Sequence, residues 1–360
     1  MKTKLSLQTA KYLIIQQKMI GDVLTSSIIC EAIKQKNPAS EVHFLVNVHT
    51  TPVIENNPFI DKEVVMTKEI EKSPTKLFHF LQQIKRDNYD VVIDVYSKPV
   101  SVLIAKFSKA QLKIGYKKWY SKLVYNELYT YKTKADTNAG LAVENRMNLL
   151  QSLDHSYPVA IKPKIYLTEK EITSARKILH QENLLNKPLF MIGVLGSSEE
   201  KSYPLSYLAE VLNKIIETTG AELLFNYIPK QKETVERLIK LCKLETQHRI
   251  HYSIYGKSLR EFMALTSLCS AFIGNEGGAV NMAKALEVPT FSIFAPFTKR
   301  AAWSLYENNK NVSVHLEDYY PENYKKYNLK EIREEASSYY KMFKAEFFLK
   351  KLESYLKNIL

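Results

Sequence analysis

Apolar residues are grouped in short runs and helical stripes that alternate from the start of the chain. An apolar run over 11–16 predicts a buried strand, and over 20–36 Val23, Leu24, Ile28, Ile29 and Ile33 recur at helical spacing. A strand over 41–46 follows the Asn37-Pro38 break, then a helical pattern over 74–86 and a strand over 89–95. The pattern pauses at 155–163, between Pro158 and Pro163, and resumes with strands predicted over 189–195, 221–227, 249–252, 271–274 and 290–294. Helices over 204–218, 230–244, 259–267 and 278–286 separate them. Strands alternating with helices of 10–15 residues point to βαβ units and parallel sheets. The expectation is an α/β protein with two Rossmann-like domains, 1–160 and 161–328. An aromatic-rich helical segment over 329–360 is expected to pack back on the first.

The 360 residues are 45% hydrophobic and 25% charged with 10 Gly, which excludes disordered, collagen-like and repeat-array chains. Lys and Arg number 51 against 38 Asp and Glu, a net charge of +13, so an anionic partner is expected. Cys30, Cys242 and Cys269 are odd in number, far apart and set among apolar residues, which suggests neither a disulfide framework nor a zinc site. A reducing cytoplasm fits. No apolar run reaches the ~18–20 residues that span a bilayer, and Met1 to Lys11 lacks the apolar stretch of a signal peptide, so any membrane contact is expected to be peripheral.

In open α/β sheets ligands bind beyond the carboxyl ends of strands, which directs attention to three loops. The first, Gln16 to Val23, brings the pair Gly21-Asp22 to a helix start, where an aspartate also suits the helix dipole. The second, Gly196-Ser197-Ser198-Glu-Glu-Lys201-Ser-Tyr-Pro204, offers hydroxyls, backbone N–H groups and an ammonium to a phosphate; a capped helix start with a solvated lysine would look the same. The third, Gly274-Asn-Glu276-Gly277-Gly278-Ala279-Val-Asn281, runs from a strand to a helix through two glycines that let a diphosphate approach the backbone.

In order and spacing these loops resemble the bacterial heptosyltransferases, glycosyltransferase family 9. The opening Ile-Gly-Asp22-Val-Leu with Asn37-Pro38 is similar to the family's first strand, loop and helix; Gly196 to Leu205 looks like its phosphate loop; and Gly274-Asn-Glu-Gly-Gly with Met282-Ala-Lys-Ala-Leu-Glu-Val-Pro289-Thr resembles its donor signature. Tyr89 to Asp94 and Ile114-Gly115-Tyr116 also have counterparts there. The resemblance implies a GT-B fold, two facing Rossmann-like domains with an interdomain cleft, the acceptor on the first and the donor on the second. It implies inverting transfer from a nucleotide-diphosphate sugar, typically ADP-heptose, to the lipid A-core of lipopolysaccharide, in the cytoplasm at the inner membrane. Carried over, Asp22 is the general base, Ser197, Ser198, Lys201, Gly277, Gly278 and Ala279 hold the diphosphate, and Glu276 holds the donor sugar. Glu276 stands where the family more often has Asp, and Asn281 where it often has His, which bears on the identity of the sugar. No Asp-x-Asp pair occurs in the donor loops, so neither a metal nor a cofactor is expected.

From Lys98 to Lys134 nine lysines and one acid, Glu127, are interleaved with aromatic residues. Either this is a solvated basic face over a core, or a dock for an anionic acceptor and an anionic membrane surface, with Lys113, Lys117, Lys118 and Lys122 as the contacts. A nucleic-acid partner is not expected: no recognised binding motif is present, and the glycine loops would have no use. A nicotinamide dehydrogenase is disfavoured because no G-x-G-x-x-G follows the first strand.

Overall fold

The computed structural model describes residues 7–360, so part of the Met1 to Lys11 stretch lies outside the described residues. The chain divides into two units at Tyr166/Leu167, a few residues beyond the expected linker. In the first unit, β1 (Lys11–Ile15) has Tyr12, Leu13, Ile14 and Ile15 fully buried, as a strand covered by helices on both faces requires. It leads into α1 (Ile20–Lys36), then β2 (Glu41–Asn47), β3 (Lys62–Met66) and α2 (Pro74–Arg86), a helix capped by Ser73 with Pro74 in its first turn. β4 (Val91–Asp94), α3 (Pro99–Phe107), β5 (Leu112–Tyr116), β6 (Glu127–Tyr129) and α4 (Leu141–Asn148) complete the unit. All strand pairs are parallel, in the order β3-β2-β1-β4-β5-β6. The order reverses between β1 and β4, and the crevice outside their carboxyl ends is where such sheets bind ligands.

The second unit opens with α5 (Glu169–Gln181), whose Thr168 and Glu171 form a capping box. It continues with β7 (Leu189–Gly193), α6 (Leu205–Thr219), β8 (Glu222–Asn226), α7 (Lys232–Leu241), α8 (Leu259–Ser267), β9 (Ala271–Asn275), α9 (Gly278–Ala285), β10 (Thr290–Ile293) and β11 (Asn311–Val314). The sheet is again parallel, ordered β11-β10-β9-β7-β8, so here the switch point falls between β7 and β9. The expected strand over 249–252 is reduced to one bridge, Ile250 with Leu223.

Contrary to expectation, the C-terminal segment packs on the second unit and not on the first. It breaks into several short helices ending in α10 (Leu349–Ile359), and the breaks turn Phe343, Phe348, Leu352 and Leu356 into one core with Tyr203, Leu212 and Phe291. Ring centroids lie 5.7 Å apart for Tyr203 and Phe343 and 6.1 Å for Phe291 and Phe348, and Lys214 on α6 pairs with Glu353 at 2.7 Å. Covering α6 and β10 removes these rings from water, which a solvated helix of the same composition could not do.

Candidate active site

The loops after β1 and β4 flank the switch point of the first sheet, and between them is a pocket of about 400 Å³ lined by Gln16, Lys18, Asp22, Tyr96, Lys98 and Arg146 among others. Asp22 reaches it from the first turn of α1. Its carboxylate is about one-third exposed, and its Oδ1 accepts a hydrogen bond of 2.7 Å from Nη2 of Arg146 on α4. Arg146 is buried and held at every reach of its fork: Nε donates to the Ser26 hydroxyl at 2.8 Å and Nη1 to the Ala142 carbonyl at 2.7 Å. A guanidinium fixed on three sides holds the carboxylate in one orientation at the edge of the pocket.

Two further layers shape this pocket. Tyr116 and Tyr131 stack with centroids 3.9 Å apart, Tyr116 donating its hydroxyl to the Asn145 carbonyl at 2.9 Å and Tyr131 half-exposed above it. Behind the loop after β4, buried Asp94 accepts from the Ser97 N–H at 2.8 Å and from the Tyr125 hydroxyl, while the Ser97 hydroxyl takes the Tyr116 N–H at 3.0 Å. Burial pushes the Asp94 carboxyl up from its usual 3.8 to about 6, against the opposing pull of those hydrogen bonds.

In the second unit the two remaining loops meet at the β7/β9 switch point. Asn275 ties them together: its Oδ1 accepts the Tyr203 N–H at 2.7 Å, and its Nδ2 donates to the Gly193 and Val194 carbonyls at 3.0 and 2.9 Å. Lys201 Nζ thereby comes within 3.6 Å of Glu276 Oε1, and the buried Glu276 also accepts from the Thr298 hydroxyl at 3.1 Å. Ser197 and Ser198 are exposed on the same loop, which closes on itself through Ser202: that hydroxyl accepts the Gly196 N–H at 3.0 Å and donates to the Ser198 carbonyl at 2.9 Å. Gly277 has φ +147°, with open space where a side chain would stand, and Gly278 and Ala279 begin α9, whose first N–H groups have no intrahelical acceptor. Gly274, at φ +141°, lies so close to the Gly193 carbonyl that a Cβ would collide with it. A cation, a helix start and a buried carboxylate are thus assembled around one exposed loop.

The four lysines expected on the basic stretch do not act alike. Lys117 and Lys122 are exposed, and Lys118 lies over the Tyr131 ring at 5.2 Å. Lys113 is drawn inward on β5, where Nζ donates to the Ala110 carbonyl at 2.6 Å, and burial lowers its pKa; it does not join the other three. Of the residues lining this pocket, sequence reasoning named Tyr131 and Lys98 only as members of the basic aromatic stretch and did not single out Arg146 or Lys18. Lys18 lies in the loop from Gln16 to Val23; nothing near Arg146 marks it.

The family profile described as glycosyltransferase family 9 (heptosyltransferase) matches residues 77–332, a span that includes Arg146, Lys201 and Glu276 and begins after Asp22. Lipopolysaccharide heptosyltransferase 1 of Campylobacter coli is 24% identical over 299 residues, covering 79% of this chain and 83% of that protein. Among solved structures, a glycosyl transferase of family 9 from Veillonella parvula superposes with a TM-score of 0.72 at 16% identity, over 93% of this chain and 98% of that one. An E. coli heptosyltransferase solved with ADP-2-deoxy-2-fluoro heptose gives 0.61 at 16%, over 84% and 92%. The architecture is therefore that of the two-domain GT-B class, and with the profile match spanning well over half its length, the chain belongs to glycosyltransferase family 9, the heptosyltransferase family.

Proposed function

We propose that the protein transfers a sugar, a heptose carried by ADP, from a nucleotide-diphosphate donor to a lipopolysaccharide or lipooligosaccharide core acceptor, with inversion at the anomeric carbon. The observation that carries this reading is the meeting of Lys201, Glu276 and the start of α9 at the β7/β9 switch point, a set suited to a sugar diphosphate. The solved E. coli relative with an ADP-heptose analogue supports ADP-heptose as the donor. The acceptor hydroxyl binds beside Asp22 in the pocket of the first unit. As its oxygen attacks the anomeric carbon, the proton passes to the Asp22 carboxylate, the bond from that carbon to the diphosphate oxygen breaks, and the electron pair leaves with the nucleotide. Attack opposite the leaving group inverts the centre.

The diphosphate gains charge as it departs, so Lys201 and the N–H groups at Gly277 to Ala279 stabilise the transition state more than the ground state, with Ser197 and Ser198 donating to the same oxygens. These groups supply the positive charge without a metal ion. Glu276 accepts from the donor sugar's hydroxyls. Among the described residues no helix is long and apolar enough to cross a membrane, and the reading places the protein at the inner surface of the membrane that carries its acceptor. A thermal-shift screen of nucleotide-diphosphate sugars tests the donor. At ~100 times its dissociation constant the true donor stabilises by roughly 2.7 kcal/mol, and ADP-heptose is expected to give the largest shift. No shift with any such sugar would refute the reading.

A further inference from the structure

Charge alone does not account for the turn between β5 and β6. Its shape is fixed from within: the Ser121 hydroxyl donates to the Tyr116 carbonyl at 3.0 Å and accepts the Lys118 N–H at 2.9 Å, Val124 N–H reaches the Ser121 carbonyl at 3.0 Å, and the Tyr120 hydroxyl donates to the Ser97 carbonyl at 3.0 Å. This ordered turn holds Trp119 85% exposed and Leu123 fully exposed, the two most exposed large apolar side chains among the described residues. Lys117 and Lys122 stand exposed beside them, and no acid occurs between Asp94 and Glu127.

We propose that Trp119 and Leu123 form a wedge that inserts into an anionic lipid bilayer, while Lys117, Lys118 and Lys122 pair with the lipid phosphates. A tryptophan and a leucine on a rigid tip ringed by ammonium groups match the headgroup level of such a surface, where an indole ring has one apolar and one wet side. Two side chains cover far too little area for a stable protein interface, and a second copy of the same turn would be repelled by like charge. The inference rests on a membrane-borne acceptor and deepens that reading. Tyr116, which anchors the turn through Ser121, also lines the Asp22 pocket, so insertion sets the height of the pocket above the headgroups.

The test uses the full chain and vesicles of phosphatidylethanolamine and phosphatidylglycerol. Replacing Trp119→Ser together with Leu123→Ser should lower partition roughly tenfold or more at unchanged melting temperature, since both side chains already face solvent. With brominated acyl chains, quenching of the wild-type fluorescence should disappear in Trp119→Phe, which leaves Trp303 as the remaining tryptophan. Unchanged partition of the double variant, or equal quenching in Trp119→Phe, overturns the wedge, as does self-association through this turn with no vesicle binding. Transfer to a soluble acceptor fragment should persist in the double variant. If the wild type inserts Trp119 but consumes no nucleotide sugar, the wedge stands and the catalytic reading fails.

Discussion

The candidate site at the switch point of the first sheet is built from side chains drawn from distant parts of the chain, whereas that of the second is built from backbone turns with a few side chains close in sequence. Asp22 depends on Arg146, more than a hundred residues away, and the pocket wall depends on Tyr116, Tyr131 and the Asp94 network. The second site needs little beyond two loops clasped by Asn275. The difference matches what each would hold under the proposed function. A diphosphate is the same in every sugar nucleotide, and N–H groups at a helix start with one ammonium suffice for it. An acceptor hydroxyl must be met by a base at one distance and angle, which calls for a carboxylate locked by packing and a fixed cation.

The contrast predicts unequal consequences of mutation. Asp22→Asn keeps the shape of the side chain but cannot take a proton, so turnover should fall roughly 10²–10⁴-fold; near-normal turnover would remove Asp22 from the reaction. Arg146→Ala leaves Asp22 present but unaimed and should lower kcat by up to about a hundredfold at unchanged donor KM, with Arg146→Lys restoring part of it because charge returns without the fork. Equal loss in the two variants would mean that Arg146 serves only to fold the unit. Lys201→Ala should weaken donor affinity by roughly tenfold, the scale of one charge-assisted hydrogen bond, and lower the rate as well.

The smaller effects sharpen the same contrast. Because the folded state raises the Asp94 carboxyl to about 6, that group's contribution to stability is present below about 4 and is lost as pH rises through about 6. Melting temperatures should therefore carry a downward component across that window that vanishes in Asp94→Asn, and an identical slope in the variant would show that Asp94 is not its source. Chelation with EDTA should leave transfer unchanged if, as proposed, Lys201 and α9 supply the charge at the diphosphate. Loss in EDTA restored by magnesium would contradict that assignment.

What could be read from the sequence follows the same division. The two loops proposed to hold the donor could be located because Gly196 to Pro204 and Gly274 to Asn281 are each continuous runs between a predicted strand and a predicted helix. Asp22 was legible for the same reason. Arg146 was not, because it lies in an ordinary helix and acquires its role only when α4 is laid against α1. Central strands announced themselves by unbroken apolar runs; β3, β6 and β11 lie at sheet edges, β3 and β6 only partly buried, and lack such runs. The C-terminal aromatics marked a buried face but not the surface it covers, since a stripe of rings fits either unit until α6 and β10 are in place.

The central claim is that base and donor site are separate devices, and the most direct measurement is calorimetric titration of ADP-heptose into the wild type, Asp22→Asn and Lys201→Ala. The account predicts that Asp22→Asn binds the donor as the wild type does, while Lys201→Ala binds it roughly tenfold more weakly. Loss of donor affinity in Asp22→Asn with full affinity in Lys201→Ala would contradict it.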